Sequence, residues 1–254
     1  MRPVALVTGA RRGIGLGIAK SLAAKGFDLA ITDLVADAAS ESAIETLRNL
    51  GAKAHFFQSD IADISAHERT VEGIVSQFGR IDCLVNNAGM GSKVRGDFLD
   101  LEAANYDSIF DVNLRGTVFF TQAVVRKMLQ DNAAENPRTI INITSVSAEM
   151  TSPERLDYCM TKAALAAFTQ GLALRLADHG ISVFDVRPGI IRSDMTAIVT
   201  EKYDKLISGG LVPMKRWGEP DDLGRIAAAL ASGDFNFATG SVINADGALS
   251  ISRL

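Results

Sequence analysis

Short apolar runs alternate with longer amphipathic ones along the whole chain, and few folds accept that pattern. Val4-Ala5-Leu6-Val7-Thr8 is β-rich and leads into a helical pattern over residues 13–25. Gly26 then stands where a helix C-cap glycine belongs. The unit repeats as a strand over 28–33 with a helix over 40–50 stopped by Gly51. It repeats again as a strand over 54–58 with a helix over 65–78 stopped by Gly79. A short strand over 83–86 precedes two helical patterns, over 101–112 and 114–129. The run 139–143 is so apolar that it should be a central strand covered on both faces. A long helix over 156–177, a strand over 181–186, a helix over 220–232 and a strand over 241–245 complete the pattern. Such alternation implies right-handed crossovers and a parallel, doubly wound α/β sheet. No linker or repeat divides the chain, and 131–138 reads as a surface loop, so 254 residues are read as one domain, 1–254.

Hydrophobic residues make up 47% and charged residues 22%, enough apolar material for a full core in an ordinary globule. A net charge of −4 argues against nucleic acid or an anionic membrane as the main partner, while leaving small anionic ligands open. Cys83 and Cys159 lie far apart and form no CxxC pair, which suits reduced, buried thiols. His55, His67 and His179 show no ligand spacing, so no metal site is expected. The apolar run at 4–7 is too short for a signal sequence, and no segment is long and apolar enough to span a bilayer. The expected location is cytoplasmic.

The first strand runs into Thr8-Gly9-Ala10-Arg11-Arg12-Gly13-Ile14-Gly15. Glycines alone are a weak signal, but these follow a strand and open a helix. Gly9 can make the tight turn, and Gly13 and Gly15 let the backbone and the helix N-terminus approach a pyrophosphate. A turn that only permits packing is the plainer alternative. Asp33 closes the second strand, where a carboxylate accepts hydrogen bonds from the ribose hydroxyls of a dinucleotide. It repels a 2′-phosphate and so favours NAD over NADP. Arg11 and Arg12 pull the other way, because a guanidinium beside the loop can bind that phosphate.

Ser145, Tyr158 and Lys162 fall in one short stretch. Tyr158 and Lys162 are four apart in a helical pattern and share a face. A free tyrosine titrates near pH ~10, and a nearby ammonium should lower that value and make the phenol a usable proton carrier. Ser145 follows the central strand, at the end of the sheet where such folds bind ligands, and can hydrogen-bond a reacting oxygen. An exposed tyrosine–lysine pair is the plainer reading of that spacing, and the serine and glycine loop weigh against it.

Taken in order, Thr8-Gly9-x3-Gly13-Ile14-Gly15, Asp60-Ile61, Asn86-Asn87-Ala88-Gly89, Asn113, Ser145, Tyr158-x3-Lys162 and Arg187-Pro188-Gly189-Ile190 resemble the short-chain dehydrogenase/reductase family almost end to end. The resemblance implies a Rossmann-type domain with a seven-stranded parallel sheet flanked by helices, in a homotetramer. It implies catalysis by Asn113, Ser145, Tyr158 and Lys162, with Asn113 holding a water that links Lys162 to solvent. It implies a cofactor site built from Gly9, Arg12, Gly13, Ile14, Gly15, Asp33, Asp60, Ile61, Asn87, Ala88, Gly89, Tyr158, Lys162, Pro188, Gly189, Ile191 and Ser193. In that family Asp60 would meet the adenine, Asn87 the adenosine, and Pro188–Ile191 the nicotinamide carboxamide. The implied activity is hydride transfer between NAD, or NADP, and a secondary alcohol or ketone.

The substrate is less legible. Residues 193–210 should cover it, with Met195, Ile198, Val199, Tyr203 and Leu206 as an apolar lid or a plain surface helix. The polar flank 149–155 points to a hydroxylated substrate or to a solvated loop. Similarity also reaches the 3-oxoacyl-carrier-protein reductases, which pair NADPH with an acidic carrier. Asp33, and Asp178-His179 at a position where those enzymes place a basic docking residue, favour instead an NAD-linked dehydrogenase of a small polyol, sugar or hydroxy compound. A dinucleotide-sensing regulator without catalysis is the alternative of another class, and the complete residue set speaks against it. Assembly is expected from Val118, Phe119, Phe120, Ala123 and Val124 and from the apolar run at 248–251.

Overall fold

Strands β1 (Val4–Thr8), β2 (Asp28–Asp33), β3 (Ala54–Gln58), β4 (Cys83–Asn86), β5 (Arg138–Ile143), β6 (Ile181–Pro188) and β7 (Val242–Ala245) form one parallel sheet. Their order is β3-β2-β1-β4-β5-β6-β7. The computed structural model describes residues 2–130, 137–193 and 200–253. Helices α1 (Gly13–Ala24), α2 (Ala38–Asn49), α3 (His67–Phe78), α4 (Ala103–Phe110), α5 (Thr117–Gln130), α6 (Leu156–Leu176), α7 (Thr200–Ser208) and α8 (Pro220–Leu230) connect and flank the strands. Every residue of β1, β4, β5 and β6 is buried, as a sheet covered on both faces requires.

The two faces carry separate cores. One packs Ile18, Leu22 and Leu47 of α1 and α2 against Val7, Ile31 and Phe184. The other packs Ile74, Phe120, Val124 and Met128 of α3 and α5 against Leu6, Leu84 and Val183. Each such side chain, fully buried, contributes about 1.5–3 kcal/mol. Phe120, Ala123 and Val124 therefore belong to the core and not to a free surface, and Phe119 keeps 40% exposure. Helix α1 packs on α8 through two glycines. A Cβ at Gly17 would lie 2.8 Å from the Pro220 backbone, and one at Gly224 would lie 2.5 Å from the Gly17 carbonyl oxygen.

Turn chemistry explains most element ends. Asp37 caps α2 by accepting from Ala39 and Ser40, and Ser40 returns a bond to the Asp37 amide. Gly26, Gly51 and Gly79 end helices at positive φ, a region that disfavours a Cβ. The expected helices over 101–112 and 114–129 are joined: α4 runs through a π-helical turn, Asp111–Gly116, straight into α5. Gly116 meets the Ile61 carbonyl so closely that a Cβ would stand 2.2 Å from its oxygen. The widened turn carries Asn113 into the interior, 1% exposed. Residues 131–136 of the expected loop, and Met195, Ile198 and Val199 of the expected cover, lie outside the described residues. No helix among the described residues is long and apolar enough to cross a membrane.

Candidate active site

The sheet order reverses direction between β1 and β4, and the crevice beyond the carboxyl ends at such a point is where doubly wound sheets take ligands. A cavity of about 670 Å³ opens there. It is walled by the loops that leave β1, β2, β3, β4, β5 and β6. Every residue expected to contact cofactor lines it, as do Ser145, Tyr158 and Lys162. Asn113 stands one layer behind.

At one end, helix α1 begins at Arg12 without a side-chain cap and without an acid in its first turn. Its free N–H groups point a positive dipole end at the cavity. Gly13 has φ +57 and open space where a Cβ would be. Asn87 locks this loop from β4: its Nδ2 donates to the Thr8 and Gly9 carbonyls at 2.9 Å each. Thr8 Oγ1 accepts from the Asn87 and Ala88 amides at 3.0 Å. Asn87 thus holds the loop in shape through its Nδ2 while it lines the cavity. Asp33 sits on the rim, accepting from the Arg11 amide at 3.2 Å and the Leu34 amide at 2.9 Å. An uncapped helix end, an open glycine and a rim carboxylate fit a pyrophosphate followed by a ribose. Arg11 is not available for a 2′-phosphate, because its guanidinium pairs with Asp37 and approaches Asp33 at 3.9 Å.

At the other end, α6 carries Tyr158 and Lys162 on one face, under the loop that leaves β5. Ser145 accepts from the Ser147 amide at 3.0 Å, which fixes its hydroxyl, and it hydrogen-bonds the Tyr158 phenol. Lys162 Nζ donates to the Ile143 carbonyl at 3.0 Å and lies 5.7 Å from the centre of the Tyr158 ring. Burial pushes the Lys162 ammonium down to about 8, with Asp185 pulling it back up. Burial likewise raises the Tyr158 phenol, and the Ser145 hydrogen bond, Arg155 and Arg95 oppose that rise. The direction is therefore opposite to the lowering expected from Lys162. Desolvation outweighs the Ser145 hydrogen bond and the nearby Arg155 and Arg95 cations.

Asn113 is a clamp. Its Oδ1 accepts from the Met90 amide at 2.8 Å, and its Nδ2 donates to the Met90 carbonyl at 2.9 Å and to Thr161 Oγ1 at 3.3 Å. It thereby ties the loop after β4 to α6. Four residues that the motifs did not single out also shape this end: Met90, Thr161, Arg95 and Arg155. Arg155 precedes Tyr158 by three positions, and that spacing could have flagged it. Of the expected cover, Tyr203 lines the cavity and packs edge-on against Trp217, whereas Leu206 is 40% exposed.

A family model described as enoyl-(acyl carrier protein) reductase matches residues 9–250. The 3-oxoacyl-[acyl-carrier-protein] reductase of Staphylococcus epidermidis is 34% identical over 250 residues, covering 98% of this chain and 99% of that protein. The chain belongs to the short-chain dehydrogenase/reductase family. It is accordingly an NAD(P)-dependent oxidoreductase acting on a CH–OH group or its ketone. Among solved members of the family, a 3-oxoacyl-[acyl-carrier protein] reductase from Brucella melitensis in complex with NAD is 66% identical. It superposes with a TM-score of 0.98, covering 100% of this chain and 99% of that one. A short-chain type dehydrogenase/reductase from Mycobacterium marinum is 29% identical, with a TM-score of 0.91 over 98% of this chain and 96% of that one. The seven-stranded parallel sheet is the fold these relatives share.

Proposed function

We propose that this dehydrogenase/reductase interconverts a 3-oxoacyl compound and its 3-hydroxy counterpart, with NAD(H) as the preferred cofactor. Near-complete coverage of two named 3-oxoacyl reductases supports the 3-oxo group, and it lends no support to a polyol or sugar. Asp33 carries the cofactor choice: its carboxylate suits ribose hydroxyls and opposes a 2′-phosphate, while Arg11 is neutralised by Asp37. The Brucella relative, crystallised with NAD, agrees.

The bound dinucleotide would supply the hydride exchanged with the carbinol carbon. Gly13, Gly15 and the first turn of α1 hold its pyrophosphate, Asp33 its ribose, with Asp60, Ile61, Ala88 and Gly89 along the adenosine side and 188–191 with Ser193 at the nicotinamide end. Ser145 fixes the substrate oxygen, and the Tyr158 hydroxyl gives it a proton during reduction or takes one during oxidation. A phenol held above its ordinary range is protonated at neutral pH, which suits proton donation to a ketone. Lys162 orients the ribose and passes protons to Tyr158. Asn113 keeps the relay in place through Met90 and Thr161. Ser193 and Tyr203 are the described residues of the expected cover that line the cavity of this single-domain chain. Exposed Phe235, Phe237 and Ile251, together with half-exposed Val242 on edge strand β7, support assembly into a homotetramer. A cytoplasmic setting fits this chemistry.

The test is NADH or NADPH oxidation with an acetoacetyl thioester, beside NAD or NADP reduction with a panel of polyols. Faster turnover of the thioester, with NADH ahead of NADPH, is expected. Turnover confined to polyols overturns the substrate reading.

A further inference from the structure

Two arginines stand at the substrate end of the cavity without an ion-pair partner among the described residues. Arg95 lies on the loop after β4, and Arg155 ends the short turn that opens α6; both line the cavity. The loop and the turn are tied together. The Gly96 amide donates to the Glu154 carbonyl at 3.3 Å, and Ser92 Oγ donates to Asp157 Oδ1 at 2.6 Å. Neither guanidinium makes an ion pair or a hydrogen bond with the described residues, although Arg155 stacks 5.4 Å from the centre of the Tyr158 ring. Two nearby carboxylates have other partners. Glu149 pairs with Arg187, and Asp157 accepts from Ser92 and from the Tyr158 amide at 2.7 Å. Arg11, on the same cavity, is by contrast neutralised by Asp37.

Two positive charges on the wall of one cavity, carried by segments that are tied together, favour an anion that both can reach. Arg155 also touches the ring of the residue that exchanges the substrate proton, so the anion must lie close to the reacting carbon. We propose that Arg95 and Arg155 form a carboxylate-binding pair and that the substrate is a 3-oxo or 3-hydroxy acid with a free carboxylate, rather than a neutral thioester. The inference rests on the 3-oxo reading above. A carboxylate two carbons from the reacting ketone remains within reach of a side chain stacked on Tyr158. A phosphate at the far end of a long carrier arm does not.

The test compares 3-oxobutanoate with its methyl ester, using the enzyme and NADH. The acid should exceed the ester in kcat/KM by about tenfold or more, as expected for a charge-assisted bidentate contact. Arg155→Gln and Arg95→Gln should each shrink that ratio, and the double variant should bring it close to one. The ratio is the readout because Arg155 also acts on Tyr158, an effect common to both substrates. A wild-type ratio near one, or a ratio the double variant leaves unchanged, overturns the pair. If neither compound is reduced, the 3-oxo reading fails by itself, and the pair is judged by binding. Butanoate titrated into the enzyme–NADH complex, followed by NADH fluorescence, should bind about tenfold more weakly to the double variant. Equal binding overturns the pair in that case too.

Discussion

Lys162→Met should abolish the chemistry and remove a rise of stability with pH between about 8 and 10.5. Lys162 is 5% exposed, and its pKa falls from 10.5 to about 8, chiefly through burial. At ~1.4 kcal/mol per unit, the charged side chain costs about 3 kcal/mol of stability at neutral pH. Methionine fills a similar volume without the charge, but it orphans the Ile143 carbonyl that Lys162 bonds at 3.0 Å, a loss of about 1–3 kcal/mol. The two terms nearly cancel, so the absolute difference at one pH decides little. Its pH dependence decides more. The folded pKa lies below the unfolded one, so between about 8 and 10.5 the unfolded chain holds the extra proton. Wild-type stability must then rise with pH through that window relative to the variant, and the penalty is fully present below it. From about pH 7 to about pH 10 the gap between the proteins should move by roughly 2 kcal/mol in favour of the wild type. Urea unfolding of both proteins, at one fixed protein concentration, measures it. Stability curves that run parallel across that range would refute a buried, depressed lysine.

Other outcomes follow from the same geometry. Asp33→Ala removes the repulsion of a 2′-phosphate, so the preference for NADH over NADPH, read by fluorescence titration, should narrow about tenfold or more. Tighter NADPH binding by the unmutated protein would mean that Arg12 governs the site. Light scattering at micromolar concentration should give about four times the 27.0 kDa chain mass, and a mass of one chain would remove the assembly proposal.

The strands were legible because each is an apolar run between turn residues: β1, β2, β3 and β4 have the bounds that the sequence implies. The glycine loop, Asp33, Ser145, Tyr158 and Lys162 were legible for a related reason, since each is fixed relative to a strand end or a helix face. What the sequence hid depends on packing at a distance. A π-helical turn adds one residue to a helix that otherwise keeps its apolar stripe, so residues 101–129 read as two helices. The fate of Arg11 rests on Asp37, a partner on the far side of β2. The direction of the Tyr158 shift rests on burial, which a four-residue spacing does not report. Phe120 and Val124 looked like spare apolar surface because the companion helix α3 that covers them lies far back in the chain.

The assignment of Tyr158 as the residue that exchanges the substrate proton is the centre of this account. Tyr158→Phe deletes only the hydroxyl and leaves the ring against Arg155 and Lys162. On any substrate the wild type turns over, the variant should lose kcat by about a hundredfold or more, the scale of general acid catalysis, while binding NADH as tightly as before. Turnover within a few-fold of wild type would contradict the assignment.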